Sequence, residues 1–148
     1  MSHLTAYIDG SSRSNSSASG IGVIIEEPSG RRVAIAERVP SGDNNYAEYA
    51  ALLAALKYAV SRGYLRLQVF SDSEVVVRQI NGQYHCRSRA LRHIYELCTA
   101  FIGGLEHFAI THIRREQNRD ANQLANAAVE RREPSLSASF PAAEVAGY

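Results

Sequence analysis

Hydrophobic and polar positions along this chain follow two rhythms, one per half. Leu4 to Ile8 is a short apolar run, Ile21 to Ile25 is apolar and rich in branched side chains, and Arg32 to Val39 alternates. The Ser-rich stretch from Arg13 to Gly20 reads as a loop, and Glu26-Glu27-Pro28-Ser29-Gly30 reads as a hairpin turn. Such short connections make three successive strands antiparallel neighbours. The period then changes. Asn44 or Asn45 can cap a helix that runs to about Ser61 and closes at Gly63. Its many alanines and leucines leave little polar surface, so it is expected to lie against a sheet. Leu65 to Phe70 is a fourth strand, and strand-helix-strand order implies a parallel pairing. Ser73 to Ile80, ended by Asn81-Gly82, and Ser88 to Ile102, ended by Gly103-Gly104, have helical spacing. Phe108 to Ile113 alternates as a fifth strand, and Asn118 opens a last helix reaching about Arg132. The predicted order is βββαβααβα, a five-stranded mixed α/β sheet flanked by helices.

Length and composition change this picture little. The 148 residues suit one domain, expected over residues 1–132, with a loosely ordered or docked tail over 133–148 where the composition shifts to Ser and Ala. Hydrophobic residues at 45% and charged ones at 21% are ordinary globular values. The net charge of +1 argues against a strongly basic nucleic-acid coat but leaves room for local patches. Lys57 is the only lysine, so almost all positive charge is arginine. Cys86 and Cys98 lack metal-type spacing, and Cys98 falls on an apolar helix face, which suits a buried free thiol. The N-terminus has no leader pattern and no stretch is long enough to span a bilayer, so a cytoplasmic protein is expected.

Candidate chemistry lies at the strand ends. The first strand gives way to Asp9-Gly10-Ser11-Ser12 and the fourth to Ser71-Asp72. Asp-Gly is also a common turn pair. In an open α/β sheet, however, ligands gather beyond the carboxyl ends of parallel strands, and neighbouring first and fourth strands would bring Asp9 and Asp72 together. Glu48 sits between them on the otherwise apolar helix, and no Lys or Arg in that helix's first turns can pair with it. A buried, unpaired Glu is costly unless something neutralises it, although a Glu at the helix edge would escape that cost. Three converging carboxylates call for a hard divalent cation, Mg²⁺ or Mn²⁺, which suits phosphodiester hydrolysis.

Five motifs in order resemble ribonuclease H of type 1. They are Tyr7-Ile8-Asp9-Gly10-Ser11, Gly20-Ile21-Gly22-Val23, Asn44-Asn45-Tyr46-Ala47-Glu48-Tyr49, Ser71-Asp72-Ser73-Glu74, and Asn118 through Ala125. The resemblance covers nearly the whole chain. It implies the ribonuclease H-like fold and an endonuclease that cuts the RNA strand of RNA/DNA hybrids with two Mg²⁺ or Mn²⁺ ions. It assigns Asp9, Glu48 and Asp72 to the metals. The absence of a Lys-rich protrusion around Arg87-Ser88-Arg89 resembles the shorter bacterial and archaeal members.

The chain departs from that family at Asn122 and in the loop before the last helix. Where the last motif usually carries a fourth Asp, Asn122 stands, an expected ligand or catalytic residue without charge. Asp120 is no substitute, since two residues turn a helix by about 200°. Its place suits a first-turn acid. The loop before the last helix, Arg114-Arg115-Glu116-Gln117, has no His, and Arg115 is expected at a phosphate or leaving group unless it is a solvated charge. By the same resemblance Gly10, Ser11, Ser12, Arg13, Asn15, Asn44, Asn45 and Glu74 would read the RNA 2′-hydroxyls. Arg87, Arg89 and Arg92, or Arg114, Arg115 and Arg119, would meet phosphates or else form a solvated face. No protein partner or membrane is implied, and a monomer is expected. Two other readings stay open: a hybrid-binding domain of this fold that lost catalysis through Asn122, and a small α/β domain whose acidic cluster binds a regulatory metal.

Overall fold

A computed structural model describes residues 3–12, 17–130 and 143–145. The strands are β1 (Leu4–Ser12), β2 (Ser19–Glu26), β3 (Arg32–Val39), β4 (Arg66–Ser71) and β5 (His107–His112), with a three-residue β6 (Ala143–Val145). The helices are α1 (Asn44–Ser61), α2 (Glu74–Ile80), α3 (Arg89–Gly103) and α4 (Arg119–Glu130), and a 3₁₀ turn spans Arg115–Gln117. The sheet order is β5-β4-β1-β2-β3-β6. β1, β2 and β3 pair antiparallel, whereas β4 is parallel to both β1 and β5. The five-stranded mixed sheet expected from the sequence is present, and β6 adds a short parallel pairing on the edge of β3.

Two layers of helix cover this sheet. On one face Leu4, Ala6 and Ile8 of β1, Ile21, Val23 and Ile25 of β2, and Leu67 and Val69 of β4 pack with Ala51, Leu52, Ala55 and Leu56 of α1. Leu91, Ile94 and Cys98 of α3 extend the same cluster. Helix α1 is therefore apolar nearly all round because it lies between the sheet and α3. On the other face α4 sets Ala121 and Leu124 against Ile24 and Ala34. That approach needs glycine on β2. A Cβ on Gly22 would stand 2.2 Å from the Ala121 carbonyl oxygen, and one on Gly20 2.1 Å from that of Ala125.

Several boundaries differ from expectation, each for a local reason. β1 does not stop before Asp9. It continues to Ser12, because β2 stays in register with it as far as Ser12↔Ser19 after β4 has left at Ile8↔Ser71. The cap of α1 is neither Asn44 nor Asn45 but Asp43, whose carboxylate accepts from Asn45 N at 2.8 Å and Tyr46 N at 3.2 Å. Helix α4 begins at Arg119, since Asn118 closes the 3₁₀ turn by donating its N–H to the Arg115 carbonyl. Gly63, with φ +77°, ends α1 as expected. Arg13, Asn15 and most of the 133–148 segment lie outside the described residues. Among the described residues no helix is long and apolar enough to cross a membrane.

Candidate active site

Ile8 and Ser71 are the last parallel pair between β1 and β4, so the next residue on each strand, Asp9 and Asp72, emerges at the same end of the sheet. Glu48 reaches them from the first turns of α1. Its position depends on Gly10, where a Cβ would stand 2.5 Å from the Ala47 carbonyl carbon and 2.6 Å from Glu48 N. Without that side chain the helix rests on the strand, and Gly10 N–H donates to Glu48 Oε1 at 3.0 Å. One carboxylate oxygen from each of Asp9, Glu48 and Asp72 lies within 4.8 Å of the others. The three acids expected to share a site do so.

The cluster is electrostatically costly as it stands. Asp9 is 4% exposed and Glu48 3% exposed. Burial, then the Asp72 charge, pushes Asp9 up to about 7, against an opposing hydrogen bond with Glu48 and the Arg115 charge. Glu48 is raised well above its ordinary value, first by burial and then by the Asp9 charge. Among the described residues Glu48 Oε2 and Asp72 Oδ2 are buried without a hydrogen-bond partner. Buried oxygens without donors, on acids that repel one another, form a set that a hard divalent cation satisfies and few other groups do. The residues present fit Mg²⁺ or Mn²⁺.

Asn122, on the first turns of α4, faces the turn that carries Arg115. Its Oδ1 accepts from Arg115 Nη2 at 3.3 Å and from Asn126 Nδ2 at 3.0 Å. Asn126 in turn accepts from the Ser11 hydroxyl on β1. Arg115, Arg119, Asn122, Gln123 and Asn126 line a groove of about 550 Å³. Asn118, 2% exposed, donates its amide to the carbonyl of Ile8, the residue before Asp9, at 2.8 Å. That bond ties α4 and the Arg115 turn to β1.

The residues expected to read substrate are distributed around this centre. Ser12 Oγ lies 3.5 Å from Asn44 Oδ1, so the end of β1 and the start of α1 meet. Asn45 follows Asn44 in the first turn of α1. Glu74 begins α2 and pairs with Arg78 Nε at 2.8 Å. Gly10 and Ser11 are engaged through the bonds above. From the sequence neither Asp43 nor Asn126 is singled out, and Asn118 stands only as the start of the last helix and motif. The only signal for Asn126 was its i,i+4 relation to Asn122.

Comparison with known proteins bears on this arrangement. The family model described as reverse transcriptase-like matches residues 7–128. The ribonuclease HI of Halobacterium salinarum is 32% identical over 126 residues, which are 84% of this chain and 63% of that protein. The crystal structure of that organism's RNase H1 superposes with a TM-score of 0.80 at 31% identity, covering 86% of this chain and 98% of that one.

The chain belongs to the type 1 ribonuclease H family.

Other members agree with that membership. LC11-RNase H1, solved in complex with an RNA/DNA hybrid, has a TM-score of 0.78 at 29% identity over 86% of this chain and 96% of its own. The N-terminal RNase H domain of a Mycobacterium tuberculosis protein has a TM-score of 0.82 at 26% identity, covering 88% of this chain and 95% of that one. A bifunctional protein of the same organism is 29% identical over 93% of this chain. This ribonuclease H chain spans 63% of its haloarchaeal relative and 38% of that mycobacterial one. In the ribonuclease H order of motifs, the first, third and fourth carry Asp9, Glu48 and Asp72, the second carries the glycines on which α4 rests, and the fifth carries Asn122.

Proposed function

We propose that this protein hydrolyses the RNA strand of RNA/DNA hybrids endonucleolytically, with Mg²⁺ or Mn²⁺ held by Asp9, Glu48 and Asp72. The observation that carries this reading is the convergence of three carboxylates, two of them buried, with no ion pair to any of them among the described residues. Two divalent ions bound there would supply an activated water and stabilise the departing oxygen of a phosphodiester. The chain's own part is to hold the carboxylates where strand pairing, Gly10 and the apolar flank of α1 put them. Asn122 adds a neutral amide at the fourth corner of the site, so the cluster brings at most three negative charges. Arg115 lies close enough to Asp9 to offset part of that charge.

Substrate recognition in this reading uses Gly10, Ser11, Ser12, Arg13 and Asn15 from the β1–β2 side, Asn44 and Asn45 from α1, and Glu74 from α2. Hydroxyls, amides and backbone groups of this kind suit the 2′-hydroxyls of a shallow groove. Arg87 and Arg92 line a second groove, of about 630 Å³, together with Tyr84, His85 and Tyr95. Cations beside aromatic rings suit a sugar-phosphate strand. The Halobacterium ribonuclease HI and LC11-RNase H1 support the choice of substrate by their names and by the hybrid bound to the latter. The reading takes residues 1–132 as a monomeric cytoplasmic nuclease domain and 133–148 as an appended tail.

Incubation with labelled hybrid and Mg²⁺ or Mn²⁺, beside an Asp9→Asn variant, tests the proposal. Metal-dependent cleavage of the RNA strand that Asp9→Asn abolishes is the expected result. Asn122 favours one competing reading, a hybrid-binding domain without catalysis, because its single ligating atom is already engaged. Tight hybrid binding with no cleavage in either metal would decide for that reading. Neither binding nor cleavage would leave a metal-binding α/β domain.

A further inference from the structure

The side chains of Ser11, Asn126, Asn122 and Arg115 form a hydrogen-bond chain with a fixed direction, and that direction decides what Asn122 can do. Arg115 has only donors, so the end of the Asn122 amide that faces its Nη2 must be the oxygen. Asn126 Nδ2 donates to the same oxygen. That bond fixes the Asn126 amide in turn, and its Oδ1 accepts from the Ser11 hydroxyl, which can supply a donor. Three donors in sequence leave one group over: Asn122 Nδ2, which is buried and has no partner among the described residues. A neutral amide nitrogen bears hydrogens and ligates no cation.

We infer that Asn126 is a positioning residue that locks the Asn122 amide with its oxygen on Arg115 and its N–H₂ free, so that Asn122 holds Arg115 beside Asp9 instead of binding metal. The inference rests on the nuclease reading above and refines it. An Asp at position 122 would need no such lock, since both carboxylate oxygens accept alike. The amide has two unlike ends; Arg115 admits only the oxygen, and Asn126, one turn along α4, adds a second donor that holds it there. Arg115, not neutralised by a carboxylate at 122, then keeps its full charge for Asp9 and for a phosphate in the groove it lines.

A double-mutant cycle tests this. Asn126→Ala is expected to lower kcat on hybrid by about fivefold with KM nearly unchanged, the loss of about one hydrogen bond's orientation. In an Asn122→Asp background the same Asn126→Ala change is expected to be silent, within twofold, because a symmetric carboxylate needs no orienting donor. A purely structural role would carry the same loss into both backgrounds and would overturn the inference. Calorimetry with Mn²⁺ alone gives a readout independent of activity. Asn122→Ala should leave Mn²⁺ affinity unchanged or slightly tighter, while Asp9→Asn abolishes binding. A tenfold weakening by Asn122→Ala would make Asn122 a ligand and end the proposal. If the parent protein cleaves no hybrid, the nuclease reading fails instead, and the Mn²⁺ titration still tests the lock.

Discussion

The backbone N–H of Gly10 donates to Glu48 Oε1 at 3.0 Å, across 38 residues of sequence. It can do so because Gly10 has no side chain to hold α1 away from β1. This contact fixes the helix-borne acid of the cluster against the strand that carries Asp9, while the other Glu48 oxygen has no donor among the described residues. Gly10→Ala should therefore displace the first turn of α1. Denaturant unfolding should report a loss of about 1–3 kcal/mol, and hybrid cleavage should fall further than stability does.

The site opposes the fold's stability when no metal is present. Asp9→Asn or Glu48→Gln removes a like charge from a buried cluster, so the metal-free variants should unfold at higher denaturant than the parent, by about 1 kcal/mol. Cleavage should vanish in both. A metal-free Asp9→Asn protein less stable than the parent would contradict the repulsion argued here.

The pH dependence has a definite sign. Asp9 is raised from 3.8 to about 7, so between those values the folded chain holds a proton that the unfolded chain has released. Stability from this group is present at low pH and is lost as pH rises through that window. In the presence of EDTA, the Asp9→Asn variant should gain on the parent steadily from pH 4 to pH 7 in thermal unfolding. Saturating Mn²⁺ should remove the difference in slope by stabilising the ionised cluster.

Asn118 joins three elements through one buried side chain and its own backbone. Its amide holds the Ile8 carbonyl, its N–H closes the Arg115 turn, and its carbonyl accepts from Asn122 N at 3.0 Å. Asn118→Ala should cost about 1–3 kcal/mol, since it leaves a buried strand carbonyl without its side-chain donor. Native-state hydrogen exchange should show the effect concentrated at β1 and the start of α4.

The two thiols differ in access. Cys98 is buried, its thiol hydrogen-bonds the Tyr49 carbonyl, and burial pushes it up to about 12. Cys86 is half-buried beside the groove of Arg87 and Arg92. At neutral pH a thiol-reactive dye should label Cys86 alone in the folded protein and both cysteines after unfolding.

Much of this molecule is determined by local sequence. Alternation and helical spacing are set by residues a few positions apart, and they are enough for the kinds and order of five strands and four helices. An acid closing an apolar run, as at Asp9 and Asp72, is likewise a local feature, and so is a Glu in an apolar helix. That is why the three carboxylates and the fold class can be read without coordinates. Tertiary structure decided what depends on two distant segments meeting. Asp43, Asn44 and Asn45 are all competent caps, and only the angle at which the chain enters α1 selects Asp43. β1 runs past Asp9 because β2 remains paired there, a fact about a neighbouring strand and not about Asp9 itself. The amide of Asn122 is oriented by Arg115 and held by Asn126, whose own oxygen bonds Ser11, 115 residues away along the chain. A sequence gives an asparagine; which end of its amide faces the site is fixed by donors that the fold brings to it.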